Sequence, residues 1–361
     1  MKLLEPFELG PLALHNRVVM APMTRSRATP EGVVGELTAT YYQQRASMGL
    51  LLSEGVNISA QAVGSPFTPG LYTDAQVAGW KLVTKAVHDA GGLIFAQLWH
   101  TGRVGHSSVR NGELPVAPSA RRIEGQQHYT PTGMQDYEVP RALSTDEVRA
   151  VVQDYRRAAE RAKEAGFDGV ELHGAFGYLP NQFLVDGANQ RTDEYGGSVE
   201  NRSRFVLEVM QALVDVWGPQ RVGIKLSPST PYNNMLDSDP QALFSYLIGA
   251  LNHLPLAYLH LMQAGELPAT DQFANWPQDV VGTYAALYQG TLIANQGYTQ
   301  ESAEQELANG RAALIAFGTL ALANPDLPAR FAQHGPFNQP DRATMYGGAA
   351  HGYVDYPTLA Q

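Results

Sequence analysis

Residues 144–174, STDEVRAVVQDYRRAAERAKEAGFDGVELHG, join one complete helix to one strand, and their reading sets the architecture. Ser144 and Glu147 stand in capping-box spacing, where each side chain satisfies an N–H that the first helical turn leaves open. Val148, Val151, Val152, Tyr155, Ala159 and Ala162 recur on one helical stripe, and Gly166 stops the helix. The run GVELHG (169–174) then reads as a buried strand. Seven similar runs lie elsewhere: VVMAP (18–22), GLLLSEGVNIS (49–59), LIFAQLWH (93–100), VGIKLSP (222–228), AYLHLMQ (257–263), TLIANQG (291–297) and ALIAFGT (313–319). Near-continuous apolar runs suit parallel strands covered on both faces. Each is expected to be followed by a helix; DPQALFSYLIGALNHL starts with Asp239 as cap and Pro240 in its first turn.

Eight strand–helix units with no break in composition predict an α/β fold, a (β/α)8 TIM barrel formed by residues 1–361 as a single domain. A doubly wound dinucleotide fold would want a G-x-G-x-x-G turn, and the chain has none; it also lacks a P-loop and H-E-x-x-H. The longest insertion, 103–143, follows the third strand and is expected to lie over the barrel mouth. The glycine- and tyrosine-rich tail, 341–361, is expected to pack back on the body.

A formal charge of −10 argues against nucleic acid as a partner, because a phosphate backbone demands a basic face. The absence of cysteine removes disulfides, thiolate nucleophiles and cysteine-held metals. No stretch approaches about 18 uninterrupted apolar residues, and the N-terminus lacks a signal-peptide pattern, so the expectation is a cytoplasmic protein with no membrane partner.

Barrel enzymes carry their chemistry at the C-terminal ends of strands. Here those ends offer Thr24, Gly55, Gln97 with His100, His173, Lys225, Gln263, Asn295 with Gln296, and Gly318 with Thr319. The set is polar, with one cation and no carboxylate cluster, which disfavours a two-carboxylate glycosidase and a metal hydrolase. No metal is expected. A polar ring without catalytic acids suits an organic cofactor that brings its own reactivity. Lys225 within GIKLSP needs an anionic partner if buried. His173, read alone, is as compatible with a satisfied core histidine as with a functional one.

Several long motifs in the same order resemble the old yellow enzyme family of flavin-dependent ene-reductases: HNRVVMAPMTRSRA (15–28), AQLWHTGR (96–103), NQRTDEYGGSVENRSRF (189–205), PYNNMLDSDPQALF (231–244), ANPDLPARF (323–331) and YGGAAHGYVDYPTL (346–359). The resemblance implies a barrel holding FMN, reduced by NAD(P)H, that passes hydride to the β-carbon of an electron-poor alkene or acts on a nitro compound. It implies that Pro22, Met23, Thr24, Gly55 and Gln97 line the isoalloxazine, and that His173 polarises the substrate oxygen. Tyr178 would protonate the α-carbon. Trp99, Phe176 and Tyr346 would face substrate, and Lys225, Gln296, Gly297, Gly318 and Thr319 the cofactor. A monomer or homodimer is expected.

The chain departs from the family pattern in the pocket. Phe176 stands where the family has histidine or asparagine, Lys225 where it has arginine, Gln296 where it has glycine and Thr319 where it has the phosphate-clamping arginine. Ala321 replaces a bulky residue and His351 a glutamate. Loss of an arginine–phosphate bond costs roughly 1.5–3 kcal/mol, and lysine lacks the planar fork of arginine. Activity is therefore expected to be impaired or altered and FMN binding weakened. The alternative is a re-purposed, flavin-free barrel that binds another ligand or transfers protons without a cofactor.

Overall fold

The computed structural model describes residues 1–359; residues 360 and 361, the end of the expected tail, lie outside the described residues. Eight parallel strands close into a barrel in chain order. They are β1 (Val18–Met20), β2 (Leu50–Asn57), β3 (Ile94–Trp99), β4 (Gly169–Gly174), β5 (Val222–Leu226), β6 (Tyr258–Met262), β7 (Leu292–Asn295) and β8 (Leu314–Phe317). Each coincides with one of the eight apolar runs. Their residues are buried throughout, as strands covered on both faces require.

The helices outside the barrel are α1 (Glu36–Gln43), α2 (Asp74–Asp89), α3 (Thr145–Glu164), α4 (Leu179–Leu184), α5 (Val199–Trp217), α6 (Pro240–Leu251), α7 (Val280–Tyr284), α8 (Gln300–Ala308), α9 (Thr319–Ala323) and α10 (Leu327–Gln333). The capping box of α3 forms in both directions between Ser144 and Glu147, and Asp239 accepts the Ala242 N–H at the start of α6. The sixth unit differs from the expected pattern. Between β6 and α7 the chain AGELPATDQFANWPQD (264–279) forms little but one short turn, because Gly265, Pro268 and Pro277 interrupt any helix.

Two apolar layers hold the molecule. One lies between strands and helices. The other fills the lower barrel with Val19, Leu50, Phe95, Tyr258, Ile293 and Leu314, all from the early parts of their strands. An N-terminal hairpin, Phe7–Leu9 with Leu12–Leu14, seals that end by adding Leu9, Leu12 and Leu14. Each such leucine contributes about 1.5–3 kcal/mol by leaving water.

The insertion after β3 contains an antiparallel hairpin, Gln127–Thr130 with Gly133–Asp136. Its Ile123 and Tyr137 pack with Val104 against Tyr178, which ties the insertion to the barrel mouth. The tail is held from below by two arginines. Arg25 donates to the carbonyls of Met345 and Gly352 (2.9 and 2.7 Å), and Arg27 to Thr344 and Ala349 (2.9 and 3.1 Å). Tyr353 stacks on Tyr41 at 4.2 Å.

Candidate active site

Strand alternation puts Glu171 and His173 on one face of β4. Register places Gln97 of β3 beside Glu171, and Lys225 of β5 beside His173. A one-residue bulge in β2, between Leu52 and Gly55, shifts Gly55 opposite Gln97; Ser53 Oγ accepts the Gln97 backbone N–H there at 3.0 Å. The fully buried Glu171 carboxylate accepts from Gln97 Nε2 and from His260 Nδ1, each at 2.8 Å. It is also the negative charge that acts on Lys225, answering the need for an anionic neighbour. Burial nevertheless dominates and pulls the Lys225 ammonium down to about 8. Its Nζ lies 5.7 Å from the Phe176 ring centre and makes no hydrogen bond among the described residues.

His173 accepts the Ala175 N–H through Nδ1 at 3.4 Å, so its neutral ring carries the proton on Nε2. Burial, followed by electrostatic coupling to Lys225 and His260, holds its pKa well below the ordinary histidine value. The result is a neutral N–H donor. Tyr178, the residue before α4, packs edge-on to His173 at 4.7 Å and to Trp99 at 5.0 Å. Burial raises its phenol pKa, with Tyr232, Tyr137 and Tyr346 adding to the shift, so the hydroxyl stays protonated. Trp99 lies against Gly55, where an added Cβ would come within 2.7 Å of the indole. Size at position 55 is thus set by the indole.

Phe176 completes the cluster, 6.3 Å from the His173 ring. Its φ is +56°, a left-handed backbone that a bulky side chain occupies at a cost. The loop is held there by Phe176 N–H to Ser227 Oγ (3.0 Å) and Asn233 Nδ2 to the Phe176 carbonyl (2.8 Å).

A cavity of about 990 Å³ opens in front of this cluster, walled by Thr24, Trp99, Tyr137, Tyr178, Tyr232 and Tyr346. Barrel, insertion and tail all contribute. Thr24 follows the half-buried Pro22 and Met23 after β1, and Tyr346 stands 68% exposed at the rim. His173 backs this wall through Trp99 and Tyr178, Phe176 meets both His173 and the wall residue Tyr232, and Lys225 lies over the Phe176 ring.

The structure does not bring the remaining sequence-derived residues into that wall. Gln296 and Gly297, after β7, line a separate recess of about 380 Å³ with Gln263, Tyr298, Glu306 and Arg311. Gln296 has a φ of +78°. Gly318 sits beside Met23, whose Sδ is 3.7 Å from where a Cβ would stand, and Thr319 is exposed. Sequence reasoning passed over His260, Asn233, Tyr137 and Tyr232. Glu171 too was given no role. A carboxylate inside a buried strand was the available signal, since it demands partners.

The model of the NADH:flavin oxidoreductase / NADH oxidase family matches residues 2–338. The chain belongs to that family. Its relatives include 12-oxophytodienoate reductase 1 of Oryza sativa subsp. japonica, 44% identical over 99% of this chain and 93% of that protein. 12-Oxophytodienoate reductase 2 of Arabidopsis thaliana is 40% identical over 99% of this chain and 96% of its own length. Among solved structures, morphinone reductase superposes with a TM-score of 0.94 at 48% identity, covering 99% of this chain and 96% of that one. The old yellow enzyme homologue from Zymomonas mobilis gives 0.95 at 42%, covering 99% and 100%. The chain is thus an oxidoreductase of the old yellow enzyme type on a (β/α)8 barrel.

FMN is the cofactor that this family implies, and the residues fit its two ends unequally. At the ring end, a pyrimidine edge wants both donors and acceptors, which the Gln97 amide and the unpartnered Lys225 ammonium provide. The loops after β7 and β8, where barrels of this type commonly hold phosphate, offer it no charged side chain. Segments 296–300 and 318–324 hold no lysine, arginine or histidine. Arg311 is committed to Glu306 (2.7 Å) and Asp279 (2.7 Å).

Proposed function

We propose that this enzyme reduces electron-poor alkenes (enones, enals or nitroalkenes) or nitro compounds with NAD(P)H as reductant, through a flavin whose phosphate is weakly held. Bound flavin would supply the hydride. Every other role falls to the chain. Pro22, Met23, Thr24, Gly55, Gln97 and Lys225 would hold the ring system, and Gly297 and Gly318, with Gln296 and Thr319, the far end. Trp99, Phe176 and Tyr346 would guide the substrate.

The observation that carries this reading is the pair His173 and Tyr178, with rings 4.7 Å apart. A neutral imidazole N–H can polarise a carbonyl or nitro oxygen as negative charge develops there. A phenol that remains protonated can deliver its proton to the α-carbon. Phe176 adds no hydrogen-bond donor, so His173 acts alone on the oxygen and a lower rate is expected. A morphinone reductase structure in complex with tetrahydroNAD supports a nicotinamide reductant.

The test begins with colour. The purified protein, supplied with flavin, should show flavin absorbance bands that bleach with NAD(P)H and recover with 2-cyclohexenone. Tyr178→Phe should slow the enone-dependent recovery by roughly 10²–10⁴ while bleaching proceeds at the parent rate. Equal recovery rates would remove Tyr178 from the proton-donor role. The empty charge balance after β7 and β8 favours one second reading, a flavin-free barrel; a protein that stays colourless with added flavin would establish it.

A further inference from the structure

We infer that this site recognises the flavin ring system and not its phosphate, so that riboflavin occupies it about as tightly as FMN. The inference rests on the flavin reading above and goes one step further by naming the ligand class.

Barrels of this type commonly hold phosphate at the loops after strands seven and eight and at a short extra helix. A phosphate group carries close to two negative charges and gives up its water only to charged or well-placed donors. Here the corresponding side chains are Gln296 and Gly297 after β7, and Gly318 and Thr319 leading into α9. None is charged. The neighbouring guanidinium of Arg311 faces two carboxylates, Glu306 and Asp279, so that trio carries a net negative charge. Arg45 reaches α9 but spends its donors on the carbonyls of Ala321, Leu322 and Tyr41, with its Cζ 3.9 Å from the Tyr41 ring centre.

Gln296 worsens the fit. Its left-handed backbone places a side chain where glycine would leave the main chain open, and its Nε2 comes within 3.3 Å of where a Gly265 Cβ would stand. What remains for a phosphate is the exposed Thr319 hydroxyl, the neutral Gln296 amide and backbone N–H groups, none of them charged. The ring end, in contrast, keeps a buried ammonium on Lys225 and the Gln97 amide. Affinity therefore concentrates on the tricycle, which riboflavin and FMN share.

Equilibrium quenching of flavin fluorescence on the full chain reads this without any turnover. Riboflavin and FMN should give dissociation constants within about threefold of each other, and FMN binding should be nearly flat across an ionic-strength series. Thr319→Arg, at an exposed position, should raise the preference for FMN by roughly tenfold or more and make it salt-sensitive. FMN bound more than about thirtyfold tighter than riboflavin by the parent protein would overturn the inference while leaving the flavin enzyme intact. If neither flavin binds, both the inference and the function it rests on fall.

Discussion

Phe176 occupies a backbone conformation that suits asparagine or glycine, at a φ of +56°. An L-residue in this region costs about 1–2 kcal/mol, and asparagine less, because its short amide bonds locally. The conformation persists because Ser227 and Asn233 hold the peptide groups on both sides of it. Gly177 follows at +80°, and a Cβ there would come within 2.7 Å of Asn233 Cβ. Phe176→Asn should therefore stabilise the protein by about 1 kcal/mol in urea denaturation. It should also place a second donor beside His173 and raise enone turnover, on the order of tenfold to a hundredfold. Unchanged stability would mean that the loop bears no strain at this position.

The loop from β5 to α6 is the element that positions the Phe176 backbone, since it carries both Ser227 and Asn233. Its far end is fixed by a buried ion pair between Asp237 and Arg202 of α5, whose side chains are 1% and 6% exposed. Asp237 also accepts the backbone N–H groups of Asp186 and Asp239, both at 2.9 Å. One carboxylate thus joins the segment after α4 to the start of α6. Removing its charge leaves Arg202 buried without a counter-ion, which costs about 3–5 kcal/mol. Asp237→Asn should lose that amount in urea denaturation. Loss below about 1 kcal/mol would show that water replaces the pair.

Across the whole molecule, Glu54 connects the barrel to the tail. It lies on β2, is 2% exposed, and accepts the Arg25 N–H at 3.1 Å. Arg25 reaches on to the tail carbonyls, with Tyr41 and Tyr353 about its guanidinium. Burial pushes the Glu54 carboxyl up to about 7 from 4.5, against the opposing pull of the Arg25 and Ser26 backbone N–H groups and the charges of Arg25 and Arg27. The folded chain therefore binds this proton more tightly than the unfolded chain does. Its stabilising contribution is complete below pH 4.5 and is lost as pH rises through 7. The full span is worth about 3 kcal/mol. Glu54→Gln should flatten the dependence of stability on pH between about 5 and 8, measured by urea unfolding at several pH values. A parent and variant with parallel profiles would place the proton elsewhere.

How much was legible varied with the reach of each interaction. All eight strands could be read because parallel strands covered on both faces must be apolar almost throughout, and α3 because its capping box and stripe are local. His173 and Tyr178 fall within six residues of each other, so one stretch of sequence already carried the proposed acid and its partner. The N-terminal hairpin was not legible: FELGPLAL is too short to announce that its leucines seal a barrel. Nor was the Glu171–His260 contact, which spans 89 residues, or the clasp of Arg25 on a carbonyl 320 residues away. The sequence by itself determined the repeat, its closure into a ring and the residue types around the rim. Only the tertiary structure decided which charges meet, that Phe176 and Gln296 bend into left-handed backbone, and that Arg311 is already neutralised. Strand and helix periodicity arise from neighbours along the chain, whereas charge pairing and loop strain depend on groups that folding alone brings together.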